Sequence, residues 1–203
     1  MSDQFIGVDV GGTKVSLATM NAGQLSPPRI TPTEHAGSRA LVDQLAGVIE
    51  AAREPTTTAV GIGIPSAVEF ATGRALSGVN VPLEGVPLRA TLTERLGLPV
   101  FVDNDANVAA LAEACDPAGK LVVSHLVMFT VGTGVGGGLV LGGRPFRGAT
   151  GAAAELGHTI IGLDLADGAP PAAEHFPQRG SLEALAAGRA LDRLAAQSAE
   201  ARP

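Results

Sequence analysis

The chain has 203 residues, a formal net charge of −6 and a hydrophobic fraction of 45%. This fraction excludes a disordered chain, and the length allows one large core or two small ones. Lysine occurs only at Lys14 and Lys120, so no basic run points to nucleic acid as a partner. A single cysteine, Cys115, excludes an internal disulfide and a multi-cysteine metal site.

The first residues carry no basic targeting segment, and no apolar run approaches the length that spans a membrane. A lone cysteine also fits a reducing compartment. We therefore expect a cytoplasmic protein with no membrane partner.

The first predicted element is a hairpin around a glycine turn. Phe5–Val10 reads as one strand and 13–20 as the next. Glycines let backbone N–H groups approach a ligand, and Asp9 at the end of the first strand could hold Mg²⁺. An ordinary hairpin would explain the pattern equally well. The turn residues that we predict at a phosphate chain are Gly11, Gly12, Thr13 and Lys14.

The next segments predict a sheet covered by helices. Two strands, a helix and a further strand in this order are typical of a mixed α/β sheet. The predicted elements are a helix over 38–53 capped by Ser38, a buried strand over 58–65, a short hairpin within 66–77, and a helix over 87–96 closed by Gly97.

The most informative stretch runs from Val100 to Glu113. It begins as an apolar β-branched run and ends as an Ala/Leu-rich helical pattern. Four polar residues stand at the junction, namely Asp103, Asn104, Asp105 and Asn107. A helix start needs only one such residue as its cap, and ligands bind at the carboxyl ends of strands in α/β sheets. This stretch alone leaves both capping and ligand binding open.

A second glycine hairpin repeats the first. A strand is predicted over 124–131, a turn over 132–138 and a returning strand over 139–141, with Thr130 in the position of Asp9. A matched pair of such hairpins indicates two similar halves facing one phosphate chain. We place the boundary between the halves at a break in the pattern, which gives domains at 1–114 and 115–203.

The last third of the chain holds a few isolated polar candidates. Glu155 and His158 precede a predicted short strand, and Glu183 stands in the first turn of a helix over 182–197 capped by Ser181. A structural histidine and a dipole-favoured glutamate explain these residues equally well. Two arginines, Arg144 and Arg147, lie in a glycine-rich turn between these regions.

Taken together, these motifs resemble the ROK family of sugar kinases and repressors, most closely its glucokinase-type kinases. The resemblance implies an actin-like ATPase (ribonuclease H-like) α/β fold, with two domains around a cleft and the second domain incomplete here. The segments that carry the resemblance are 9–14, Asn80, 103–107, 133–138 and 151–158.

The resemblance also implies roles for individual residues. It implies ATP- and Mg²⁺-dependent phosphorylation of a hexose, most closely glucose to glucose 6-phosphate, by a homodimer. Asp105 matches the catalytic base, and the two glycine hairpins match phosphate loops. The matching hexose ligands are Asn80, Asn104, Asp105, Glu155, His158 and Glu183, and the second loop adds Thr133, Gly134 and Gly136.

Two departures from the family pattern bear on this interpretation. Many members carry a zinc motif, but its three cysteine positions are here Glu174, Phe176 and Ser181, so we expect no zinc site. Family kinases are also longer than this chain. An inactive sugar-binding or regulatory protein, or a truncated kinase fragment, is therefore the alternative hypothesis.

Overall fold

The computed structural model describes residues 2–78, 80–162 and 177–200, with side chains up to residue 197. No helix within these ranges is both long and apolar enough to cross a bilayer. The strands are β1 (Gln4–Val10), β2 (Lys14–Asn21), β3 (Gln24–Leu25), β4 (Arg29–Pro32), β5 (Thr57–Ile64), β6 (Val68–Glu69), β7 (Arg74–Ala75), β8 (Val100–Asn104), β9 (Leu126–Val131), β10 (Val135–Leu141) and β11 (Arg144–Pro145). The helices are α1 (Ser38–Ala52), α2 (Leu88–Leu96), α3 (Asp105–Glu113), α4 (Leu182–Ala186) and α5 (Gly188–Glu200).

A six-stranded mixed sheet forms the first half of the fold. Its order is β3-β2-β1-β5-β8, and β4 also pairs with β2. β1 is antiparallel to β2 and parallel to β5, which is parallel to β8. The parallel strands therefore bring their carboxyl ends to one edge, as the sequence predicts.

One face of this sheet packs against α1 and α2. β1 alternates strictly, because Gln4, Ile6, Val8 and Val10 are buried and the three residues between them are exposed. α1 places Leu41 and Leu45 in the same core cluster, on the stripe expected for an amphipathic helix. The opposite face of β1 carries the exposed Asp9, and the candidate site lies on that face.

The second half is built on an antiparallel sheet in the order β11-β10-β9. Its buried cluster is small and consists of Ala110, Ala114 and Val140, with partly buried Leu126 and Met128 packed against it. α3 thus joins the two halves, because it follows β8 in the chain and packs on β10. The division between residues 114 and 115 stays a prediction.

Three predicted elements differ from the observed ones in the second half. β10 begins at Val135 and so includes the three glycines that were expected to form a turn. The final helix is broken at Ala187, which is extended and buried, because Gly188 N–H donates to the carbonyl of Gly132 at 2.8 Å. The short strand expected after His158 is only an isolated bridge between Ile160 and Ser181.

The predicted helix ends are correct in part. Ser181 caps α4 by accepting the backbone N–H of Ala184 at 3.2 Å, and Gly97 ends α2 in the left-handed conformation. The prediction for Ser38 is wrong. Gly37 occupies the capping position of α1, and no side-chain cap forms there.

Candidate active site

Three strand ends form one row at the edge of the first sheet. Asp9, Gly63 and Asp103 are in register on β1, β5 and β8, so they share one face. Gly63 lacks a Cβ, and a Cβ built there would lie 3.3 Å from the Cα of Asp105. The first residue of α3 therefore lies over the middle of the row, between two carboxylates.

The polar residues at the start of α3 differ in what their side chains contact. Asn104 is the helix cap, because its Oδ1 accepts the backbone N–H of Asn107 at 3.1 Å and its Nδ2 donates to the carbonyl of Ser66 at 3.4 Å. Asp105 accepts the backbone N–H of Ala106 at 2.8 Å through Oδ1. The simpler explanation from the sequence is therefore confirmed for the capping role of Asn104, and Asp105 is the better candidate for a reactive group.

The surroundings of Asp105 favour its neutral form more than water does. Burial raises the pKa of Asp105 above the ordinary value of 3.8, and the negative charges of Asp9 and Glu155 raise it further. Backbone hydrogen bonds from Ala106 and from its own N–H act in the opposite direction. A partly buried carboxyl with a raised pKa, flanked by other carboxylates, is typical of a group that exchanges protons.

The first glycine turn is held from the side by residues that the sequence did not single out. Gly11 N–H donates to the carbonyl of Lys14 at 2.8 Å and closes the turn. Thr33 Oγ1 donates to the carbonyl of Gly11 at 2.7 Å, and His35 Nε2 donates to that of Gly12 at 2.8 Å. No spacing rule could have identified these contacts, because each spans more than twenty residues of chain.

Two further predicted residues lie at this first turn. Asn80 is exposed and packs against Gly12 through its backbone. Thr13 is exposed as well. Asn80 therefore lies beside the first glycine turn.

The second glycine turn is joined to the last two helices. Gly132 N–H donates to the carbonyl of Gly134 at 2.9 Å and closes the turn, leaving Thr133 exposed. Glu183, in the first turn of α4, accepts the backbone N–H of Val135 at 2.8 Å through Oε2. The structure therefore places Glu183 at the second turn.

Glu155 and His158 form a pair on one short segment. Glu155 is exposed, and its Oε2 lies 3.7 Å from Nε2 of the half-buried His158 across a single turn of 3-10 helix. Leu182 N–H donates to the carbonyl of Thr159 at 2.9 Å and so holds this segment against the start of α4.

Asp103 has a partner that the sequence analysis missed. Arg147 donates to its Oδ2 from Nε at 2.9 Å and from Nη2 at 2.5 Å. The two residues are 44 positions apart, so no local pattern relates them.

A metal ion at this site would meet oxygen ligands. Within residues 2–78, 80–162 and 177–197, no three His, Cys, Asp or Glu side chains are grouped to hold a metal by themselves. Asp9 is an exposed carboxylate within electrostatic reach of Asp105, which suits Mg²⁺, an ion that usually takes one or two protein carboxylates plus substrate phosphates. Two of the three positions aligned with zinc cysteines, Glu174 and Phe176, lie outside the described residues, as does His175.

Comparison with known proteins identifies the family of the chain. The ROK family model matches residues 5–202. The chain belongs to the ROK family. It is 34% identical over 206 residues to a glucokinase of Halalkalibacterium halodurans, an alignment that covers 97% of this chain and 61% of that protein. It is 41% identical over 165 residues to an N-acetyl-D-glucosamine kinase of Salmonella newport, covering 79% of this chain and 54% of the relative.

A solved structure gives the same result for the fold. A ROK family glucokinase from Streptomyces griseus, in complex with glucose and AMPPNP, superposes with a TM-score of 0.74 at 33% identity. The superposition covers 98% of this chain and 62% of that one. The fold is the actin-like ATPase fold of ROK sugar kinases, and this chain spans only about 54–61% of the length of these two curated relatives.

Proposed function

We propose that this chain carries the catalytic base and both phosphate loops of an ATP-dependent hexose kinase, with glucose as its substrate and glucose 6-phosphate as its product. The observation that supports this most directly is the position of Asp105 over the row of strand ends, as a partly buried carboxyl whose pKa is raised by burial and by the charges of Asp9 and Glu155. Relatives named as kinases of glucose and of N-acetyl-D-glucosamine support a hexose as the acceptor.

The proposed reaction is an in-line transfer of the γ-phosphoryl group. Asp105 accepts the proton of a hexose hydroxyl as that oxygen forms a bond to the γ-phosphorus of ATP. The bond from that phosphorus to the bridging oxygen breaks, and ADP leaves with the electron pair. Backbone N–H groups of the two glycine turns stabilise the charge that develops on the phosphoryl oxygens, chiefly around Gly12 and Gly134.

Polar side chains around Asp105 would orient the hexose. In this proposal Glu155 and His158 bind hydroxyls from one segment, and Asn80, Asn104 and Glu183 bind them from the others. Asp9 would hold Mg²⁺, which supplies positive charge to the phosphates. The proposal also includes a cytoplasmic homodimer, as the family resemblance implies.

The proposal is tested by ADP release with ATP, Mg²⁺ and a panel of hexoses, on the wild type and Asp105→Asn. The panel contains glucose, mannose, fructose, N-acetylglucosamine and N-acetylmannosamine. We expect turnover to fall about 10²–10⁴-fold in Asp105→Asn, because the isosteric amide cannot accept the proton.

The matched control is Asp43→Asn. Asp43 is an exposed carboxylate on α1, and α1 packs on the other face of the sheet. This variant is expected to keep the wild-type rate. Absence of ADP with every hexose, or an undiminished rate in Asp105→Asn, contradicts the proposal.

A hexose-binding protein without turnover is the second candidate function. The chain spans 61% of the length of the glucokinase relative, so the kinase activity of that relative stays a proposal for this chain. The second candidate function predicts a rise in melting temperature with a hexose but no ADP release, since a ligand that binds only the folded state stabilises it.

A further inference from the structure

One partly buried ion pair, between Arg147 and Asp103, connects two segments of the proposed active site. Arg147 follows β11, and its guanidinium donates two hydrogen bonds to Oδ2 of Asp103 at the end of β8. The guanidinium carbon also lies 3.6 Å from the ring centroid of Phe70, in the turn between β6 and β7. A planar cation held by a carboxylate and a ring has one orientation, which a lysine could not reproduce.

Asp103 needs this partner because it is buried. The residue is 8% exposed, and its Oδ1 accepts the backbone N–H of Asn104 at 2.9 Å and a hydrogen bond from Nδ2 of Asn107 at 3.4 Å. A buried charge left without a partner is costly, so the pair is specific rather than incidental. The same carboxylate therefore holds both the start of α3 and Arg147.

The two ends of this pair belong to different parts of the site. Asp103 stands two residues before Asp105 on the strand-to-helix junction. Arg147 begins the loop that leads to Glu155 and His158, and its carbonyl accepts the N–H of Ala153 at 3.1 Å. The ion pair thus joins the loop that carries two proposed hexose ligands to the junction that carries the proposed base.

We propose that Arg147 is a positioning residue that fixes the 148–158 loop relative to Asp105, so that a bound hexose hydroxyl meets the carboxylate. The inference rests on the proposed function, because it assigns Arg147 a purpose in hexose binding. Arg147 acts through Asp103 and the loop, without touching the substrate. Loss of this link would misplace Glu155 and His158 and leave the two glycine turns in place, since the contacts that hold those turns involve neither Arg147 nor Asp103.

The kinetic test compares Arg147→Met with Arg144→Met. Arg144 lies three residues earlier, is exposed, and makes no side-chain hydrogen bond or ion pair within the part of the chain that the structure describes. In Arg147→Met we expect the KM for the hexose to rise about tenfold or more, the scale of a lost charge-assisted hydrogen bond. The KM for ATP should stay within about twofold of the wild type, a split that a general loss of stability would not produce.

Two further variants identify the partner and guard against misfolding. Asp103→Asn should raise the hexose KM as Arg147→Met does, and the double variant should be no worse than the more severe single one, because both remove the same link. Arg147→Lys keeps the charge and the fold but loses the paired donors, so its hexose KM should lie between the wild type and Arg147→Met. A hexose KM in Arg147→Met within about twofold of Arg144→Met overturns the inference.

Hydrogen exchange without ligand separates this inference from the proposed function. Arg147→Met should speed the exchange of amides in 148–158 and leave those of β1 and β5 unchanged. Equal exchange of 148–158 in Arg147→Met and Arg144→Met overturns the link even if the wild type phosphorylates hexoses. A wild type without turnover overturns the kinase proposal but leaves the link itself to be decided by the exchange of 148–158, which needs no turnover.

Discussion

The surroundings of Asp105 oppose the ionisation of its carboxyl, and this has a measurable consequence. Burial and the charges of Asp9 and Glu155 raise the pKa of Asp105. As the pH is lowered, the fraction of molecules with Asp105 ionised therefore begins to decrease at a higher pH than for an ordinary aspartate. The acid limb of kcat/KM for the hexose reports this group in the free enzyme. We therefore expect activity to decline on acidification from a pH above the range of an exposed aspartate.

Glu155→Gln tests the electrostatic part of this shift. Removing one nearby negative charge makes ionisation of Asp105 easier, so its pKa falls and the acid limb moves to lower pH. The matched control is Glu113→Gln, the same change at the exposed far end of α3, which should leave the limb in place. A limb that stays fixed in Glu155→Gln, measured from the pH dependence of kcat/KM, contradicts the assignment of Asp105 as the titrating base.

At the same scale, the sequence singled out Asp105 as the candidate base but not the residues that hold its surroundings in place. Asp105 is detectable because a helix start needs one cap and this one has four polar residues. Thr33, His35 and Arg147 are not, because each acts through a contact with a residue far away in the chain. Position in the fold, rather than any local pattern, gives these three residues their roles.

At the scale of elements, α3 and β10 lie so close that a glycine is required between them. A Cβ built on Gly138 would lie 2.5 Å from the carbonyl oxygen of Ala106 and closer still to the Cβ of Ala110. Both atoms belong to α3, whose first residue is Asp105. A side chain at position 138 must therefore push the helix away from the sheet and move the base with it.

Gly138→Ala is expected to lower the free energy of unfolding by about 1–3 kcal/mol, the usual cost of overpacking, and to lower kcat as well. The matched control is Gly61→Ala, a strand glycine of β5 whose added Cβ would meet no atom within 4 Å. Denaturant unfolding and ADP release measure the two effects. Equal stability of Gly138→Ala and Gly61→Ala contradicts close packing of α3 on β10.

This packing also explains which elements the sequence predicted correctly. The hairpins, the strand at Val100–Asn104 and helix α3 follow from local patterns, and all are observed. Gly136–Gly138 was expected to be a turn, since glycine disfavours strands in isolation, but β10 accepts glycine where other groups approach it closely: Thr130 at Gly136, Leu156 at Gly137 and α3 at Gly138. The break at Ala187 likewise comes from a tertiary hydrogen bond to Gly132, which overrides helix propensity.

For the whole molecule, the two halves have very different cores. The first half buries most of its apolar residues in one cluster of strands and helices, and Leu45 at its centre is fully buried. Within the described residues, the buried cluster between α3 and the second sheet holds only Ala110, Ala114 and Val140, and the outer strand β9 exposes Val127, Phe129 and Val131. Resistance to local opening rises with buried apolar contacts, so stability should be concentrated in the first half.

Two leucine truncations test this asymmetry. Leu45→Ala should cost about 2–5 kcal/mol in the free energy of unfolding, the range for a buried leucine. Leu191→Ala removes the same atoms from α5, where the residue is 63% exposed, and should stay within about 0.5 kcal/mol of the wild type.

Hydrogen exchange should show β1, β5 and β8 exchanging slowly and β9 and β10 exchanging faster. A hexose that contacts both halves should slow amide exchange more in the second half than in the first, because local opening is more frequent in the second half without ligand. Uniform protection of both sheets in the absence of ligand, or equal costs for the two truncations, contradicts this division of stability.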